Sequence, residues 1–128
     1  ALGGDADGEW RERAVASLRE SLDAGRVIGA VAVVDGATVS GAMATVWTTI
    51  PGPGHDGRRA WVFGVATDPE HRRQGHARAA LGRVLERLDG MGVVKIDLSA
   101  TTDGEDLYRS LGFEVSPFAR MVRRPPGL

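Results

Sequence analysis

Val65-Ala66-Thr67-Asp68-Pro69-Glu70-His71-Arg72-Arg73-Gln74-Gly75-His76-Ala77 is the stretch whose reading decides the fold. Leading into it, residues 61–67 are β-prone and mostly apolar, which predicts a strand buried on both faces. Beyond it, Ala77, Leu81, Val84, Leu85 and Leu88 recur at helical spacing and predict a helix ending near Gly90. A buried strand is thus delivered through a tight turn onto a helix N-terminus. There the first backbone N–H groups lack intrahelical partners and the macrodipole is positive, so the turn suits a phosphate. Gly75 lets the backbone approach such a ligand, Ala77 keeps the next turn clear, and Arg72, Arg73 and Arg78 add positive charge. The pattern is neither a Walker loop nor a G-x-G-x-x-G dinucleotide loop.

Upstream, Ala14, Val15, Leu18 and Leu22 predict an amphipathic helix over residues 10–24, stopped by Gly25. Two β-prone runs, 27–34 and 38–50, flank Asp35-Gly36, a pair suited to the positive φ angles of a tight type I′ hairpin turn. The Pro- and Gly-rich residues 51–57 form a loop. Downstream, residues 93–98 predict a strand, and Asp103 is placed to cap a short helix carrying Leu107, Tyr108 and Leu111 and ended by Gly112. Residues 113–122 predict one or two last strands broken by Pro117. Strand, long helix, strand and short helix in succession indicate a mixed α/β sheet with a parallel pair around the long helix. Residues 1–128 read as a single domain, with 1–9 and 123–128 as loose ends.

Composition narrows the chemistry. The chain has no Cys, which excludes disulfide scaffolds, thiolate metal sites and an enzyme-borne cysteine nucleophile. His55, His71 and His76 lack metal-ligand spacing, so no metal is expected. The absence of a membrane-length apolar run and of a leader pattern makes a cytoplasmic location the default expectation. Fifteen Arg against one Lys is what a GC-rich, bacterial-type coding sequence produces, so the count itself says little. Its distribution says more: residues 1–57 hold 4 basic and 8 acidic side chains, residues 58–128 hold 12 and 9. An anionic ligand therefore belongs with the second half. A pI near 6.3 and few aromatics speak against nucleic acid as a partner.

Arg72-Arg73-Gln74-Gly75-His76-Ala77 resembles the R/Q-x-x-G-x-G/A signature of the GNAT N-acetyltransferase superfamily, and Leu107-Tyr108-Arg109-Ser110-Leu111-Gly112-Phe113 resembles its downstream L-Y-x-x-x-G-F segment. The resemblance runs from residue 10 to about residue 122 and is densest over 61–114. It implies a GNAT-like central mixed, mostly antiparallel sheet with a splayed parallel strand pair and flanking helices. It further implies that residues 72–77 bind the pyrophosphate of acetyl-coenzyme A through main-chain amides, and that Val65, Ala66 and Thr67 pair with the pantetheine arm. Relatives open with a strand and a helix before the one placed at 10–24, so the first strand is expected to be missing here.

By the same resemblance Tyr108 sits near the coenzyme sulfur and acts as general acid. From the residues alone, a lone Tyr on a short helix reads first as a core tyrosine with a wet hydroxyl. Where many relatives carry Asn upstream of the tyrosine, this chain has Thr101 and Gly104, and Thr101 is the residue offered to the pantetheine. Gly64 marks a strand bulge or a close approach, or else packs beneath a bulky neighbour. His71 and His76 read as exposed polar residues. The strand 61–64 offers no carboxylate as general base, which leaves a bound water or the loop residues His55 and Asp56.

The expected activity is direct acetyl transfer from acetyl-CoA to a primary amine in a ternary complex. The acceptor is a small-molecule or peptide amine, with a homodimer admitted and no membrane partner. Two other readings stay open: a non-catalytic acyl-CoA binding or sensing domain, and a phosphate-binding α/β module unrelated to coenzyme A.

Overall fold

A computed structural model describes residues 7–127. Helix α1 (Asp7–Asp23) leads into the antiparallel strands β1 (Val27–Val34) and β2 (Ala37–Thr48). Their turn carries Asp35 at φ 49° and Gly36 at φ 79°, the left-handed pair that Asp-Gly predicts. Strand β3 (Arg58–Thr67) pairs antiparallel with β2, and after a short 3-10 turn (Pro69–His71) helix α2 (His76–Gly90) crosses back so that β4 (Lys95–Asp97) lies parallel to β3. The sheet order is β1-β2-β3-β4, and α3 (Glu105–Ser110) follows β4. No helix among the described residues is long and apolar enough to cross a membrane.

Helix α2 organises the core. It buries Ala80, Leu81, Val84 and Leu88 against Ile28, Ala42, Ala44, Ala60 and Val62. The three alanines on the strands let the helix lie close to the sheet, and each fully buried leucine contributes roughly 1.5–3 kcal/mol. Because strand side chains alternate, Trp61 and Phe63 turn to the face away from α2, while Val65, beyond an irregularity in the β2 register, packs against the core.

Several local expectations are corrected. Strand β3 is buried on one face only, since α2 covers that face and Gly64 and Ala66 remain exposed. Residues 113–122 form no strand: Val115, Phe118 and Met121 are 68%, 82% and 92% exposed. Pro117 removes a backbone donor and divides the run into pieces too short to pair stably. Strand β4 is shorter than residues 93–98 because its partner β3 pairs only as far as Trp61. The short helix is preceded by a 3-10 turn capped by Thr101, whose side chain accepts from the Gly104 N–H, and not by Asp103. Helix α1 starts at Asp7, so residues 7–9 are helical, and its Trp10, Val15 and Leu22 stay about half exposed. Residues 1–6, on which the expectation of a missing first strand turns, lie outside the described residues.

Candidate active site

Strands β3 and β4 pair through Arg59–Lys95, Ala60–Ile96 and Trp61–Asp97 and then part. The gap is a slot of about 270 Å³ lined on one side by residues 62–66 and on the other by Leu98, Ser99 and Thr101, with Tyr108 on its wall. A bulge helps to open it. Against β2, Met43 pairs with Phe63 and Gly41 with Ala66, so Gly64 and Val65 together oppose Ala42. Gly64 adopts φ 64°, and a Cβ there would stand 3.0 Å from Met43 Cε. Both alternatives left open for Gly64 hold: it bulges, and it packs beneath a bulky side chain. Gly64→Ala is expected to cost roughly 1–2 kcal/mol through the left-handed backbone. A denaturant titration reads this directly, and an unchanged midpoint would mean the bulge relaxes.

The far end of the slot meets the turn into α2. Ser40, buried on β2, donates to the Ala66 carbonyl at 2.8 Å and shares a 2.8 Å hydrogen bond with the Thr67 hydroxyl. The Asp68 N–H donates to the Val39 carbonyl at 2.8 Å, and Arg72 Nε reaches the Thr67 carbonyl. The end of β3 is thereby fixed before the chain turns. Ser40 is a positioning residue that no local pattern announces, being 26 positions from its partner.

Gly75 occupies the N-cap of α2 at φ 85°, with no side-chain cap and no acidic residue in the first helical turn. The first helical hydrogen bond runs from the Ala79 N–H to the Gly75 carbonyl, leaving the preceding amides pointing outward. A Cβ on Gly75 would meet nothing within 4 Å, so the space over these amides is open. Arg72, Arg73 and Gln74 are exposed around it, and Arg73 itself holds φ 63°. This helix end carries uncompensated positive dipole and basic side chains, and it fits a pyrophosphate.

His71 and His76 differ from the exposed residues expected. Both are half-buried and meet edge to face at 6.1 Å, and His76 Nε2 is buried without a hydrogen-bond partner among the described residues. Ala77 is half-buried beneath the same turn.

Tyr108 is held from two sides, on a helix that is itself tied to α2. Its ring packs against Phe113 at 6.1 Å, and a Cβ on Gly104 would lie 3.0 Å from its Cε2, so glycine there makes room for the phenol. The guanidinium of Arg78 on α2 donates to Ser110 Oγ, which donates to the Leu107 carbonyl, tying α3 to the helix that starts at the turn. Burial pushes the Tyr108 phenol above its ordinary value of 10.0, because phenolate loses water there. At neutral pH it stays protonated. Thr101 lines the slot, but its oxygen already accepts from Gly104 N–H.

The two loop candidates for a base are engaged in shaping their own loop. His55 Nδ1 accepts from the Gly57 N–H, and Asp56 binds both the backbone and the guanidinium of Arg58. A carboxylate at the point where the strands part is Asp97. Its register with Trp61 places it on the face away from α2, immediately before Leu98 and Ser99. Its side chain is 39% exposed and lies 3.8 Å from Lys95. A search for a carboxylate confined to β3 misses it, although alternation along residues 95–98 marks it.

A family model described as the acetyltransferase (GNAT) family matches residues 4–113. The chain is 42% identical over 77 residues to mycothiol acetyltransferase of Brachybacterium faecium, 56% of this chain and 22% of that protein. It is 34% identical over 64 residues to the [ribosomal protein bS18]-alanine N-acetyltransferase of Escherichia coli K12, 48% of this chain and 43% of that one. These matches thus span less than half the length of those curated relatives. Among solved structures, a GCN5-related N-acetyltransferase from Ralstonia eutropha superposes with TM-score 0.76 at 27% identity, over 98% of this chain and 83% of that one. An acetyltransferase from Clostridium acetobutylicum, solved with acetyl-CoA, superposes with TM-score 0.77 over 94% and 79%; at 18% identity it shows the shared fold.

Proposed function

The chain belongs to the GNAT acetyltransferase family, and from that premise we propose that it acetylates a primary amine by direct transfer from acetyl-CoA within a ternary complex. The observation that carries the reading is adjacency: β3, whose residues 62–66 line the slot opposite Leu98, Ser99 and Thr101 with a neutral phenol on its wall, runs directly on through the turn that opens onto the uncompensated amides of α2.

Bound there, acetyl-CoA supplies an acetyl thioester. The amides from Gly75 to Arg78 would take the pyrophosphate, assisted by the charge of Arg72 and Arg73 and flanked by Gln74. The edge of Val65, Ala66 and Thr67 would take the pantetheine as an added strand, with Thr101 opposite. An N–H near Val65 would stabilise the charge developing on the carbonyl oxygen. Asp97, directly or through a water, would accept the amine's proton, and Tyr108 would donate its proton to the departing thiolate. With no Cys in the chain, no acetyl group is parked on an enzyme thiol. Because the core closes the α2 face, the acceptor would enter from the opposite one.

The test is thiol release from acetyl-CoA over a panel of amines. Amine-dependent release supports the reading. Acetyl-CoA binding without release from any amine would instead support an acyl-CoA sensor.

A further inference from the structure

Where β3 and β4 part, the C-terminal segment returns to the sheet. The Arg120 guanidinium lies over the Trp61 ring, 4.8 Å from its centroid, and Arg120 Nη1 donates to Ser99 Oγ. Trp61 is the last β3 residue in register with β4, and Ser99 lines the slot. Arg120 therefore stands at the closed end of the slot, on the face turned from α2, by which the acceptor would enter.

Three carboxylates of this region have cationic partners: Asp97 with Lys95 at 3.8 Å, Asp56 with Arg58 at 3.1 Å and Glu105 with Arg109 at 2.9 Å. Among the described residues none forms an ion pair with Arg120. A guanidinium has five N–H donors in a planar fork, of which Ser99 takes one. Stacking on the indole restricts the side chain before any ligand arrives and leaves the remaining donors for a planar, bidentate anion.

We propose that Arg120 determines acceptor specificity and that the acceptor is a small amine bearing a carboxylate, gripped by Arg120 while its amino group reaches the slot. This rests on the acetyl-transfer reading above. A polycationic amine would meet repulsion at the same place.

The experiment compares α-, β- and γ-amino acids with their carboxamides as acceptors, following thiol release by the wild type, Arg120→Ala and Arg120→Gln. The wild type is expected to favour the carboxylate member of the productive pair by roughly 10- to 100-fold in kcat/KM, the scale of losing a hydrogen bond to a charged group. Both variants should erase that preference, mainly by raising KM. Release with no carboxylate preference, or a preference that survives in both variants, overturns this proposal and leaves acetyl transfer standing. Wild-type enzyme that binds acetyl-CoA yet releases no thiol with any pair overturns both.

Discussion

Gly75→Glu is expected to lower acetyl-CoA affinity by about 10²-fold or more, as read by calorimetry, because like charges forced together cost several kcal/mol. The substitution places a carboxylate in the open space above the α2 amides, where the pyrophosphate would sit. Loss of fold does not explain such a result. The left-handed backbone at φ 85° would cost roughly 1–2 kcal/mol, while an acidic side chain at a helix N-terminus returns about 0.3–1 kcal/mol. Melting temperature should therefore move little. Gly75→Ala separates strain from charge and should lose far less affinity. Arg73→Ala removes one exposed cation and should weaken binding only about 2- to 5-fold. Equal affinities for the wild type and Gly75→Glu would remove this helix end from the coenzyme site.

Tyr108→Phe should lower kcat by roughly 10²-fold or more while leaving acetyl-CoA affinity nearly unchanged, the usual scale for a lost positioned proton donor. Phenylalanine keeps the packing on Phe113 and the fit above Gly104. The hydroxyl has no hydrogen-bond partner among the described residues, so its removal leaves none unsatisfied. Unchanged turnover in the variant would mean that solvent or the amine supplies the proton.

The alkaline behaviour of the same pair of proteins checks the environment of the phenol. Its folded value lies above the unfolded 10.0, so the neutral form is the one the fold favours. The associated stability is fully present below about pH 10 and is lost as pH rises through the folded value. Wild type should lose stability over that alkaline range more than Tyr108→Phe does. Identical alkaline profiles would show that the phenolate is not desolvated.

The elements carried by local, repeated signals could be read without a structure. Asp35-Gly36 specifies its turn because both positions need positive φ. The α2 stripe of Leu81, Val84 and Leu88 declares its buried face by spacing alone, and Gly75 identifies the helix start. The pairing of residues 72–77 with Tyr108-x-x-x-Gly-Phe identifies the family, because two motifs at the right separation are far less common than either. The last strands failed for an equally physical reason. Val115, Phe118 and Met121 have β character, but a strand exists only with a partner, and Pro117 interrupts the run.

What remained for tertiary structure was every property requiring two distant segments to meet. The slot arises because β3 and β4 diverge after Trp61 and Asp97, a matter of sheet register to which no single segment is sensitive. Ser40 becomes a support for the end of β3 only when β2 places it beside Ala66 and Thr67. Asp97 becomes a candidate base only once it stands next to Trp61, and Arg120 becomes a candidate anion grip only when the tail lays it over the same ring. Local backbone chemistry and hydrophobic period act over a few residues, so the sequence alone determined the α1–β1–β2–β3–α2 order, the glycine start of α2 and the family. That Asp97 and Arg120 meet at Trp61 depends on contacts across 36 and 59 positions of chain, and only the packed sheet decided them.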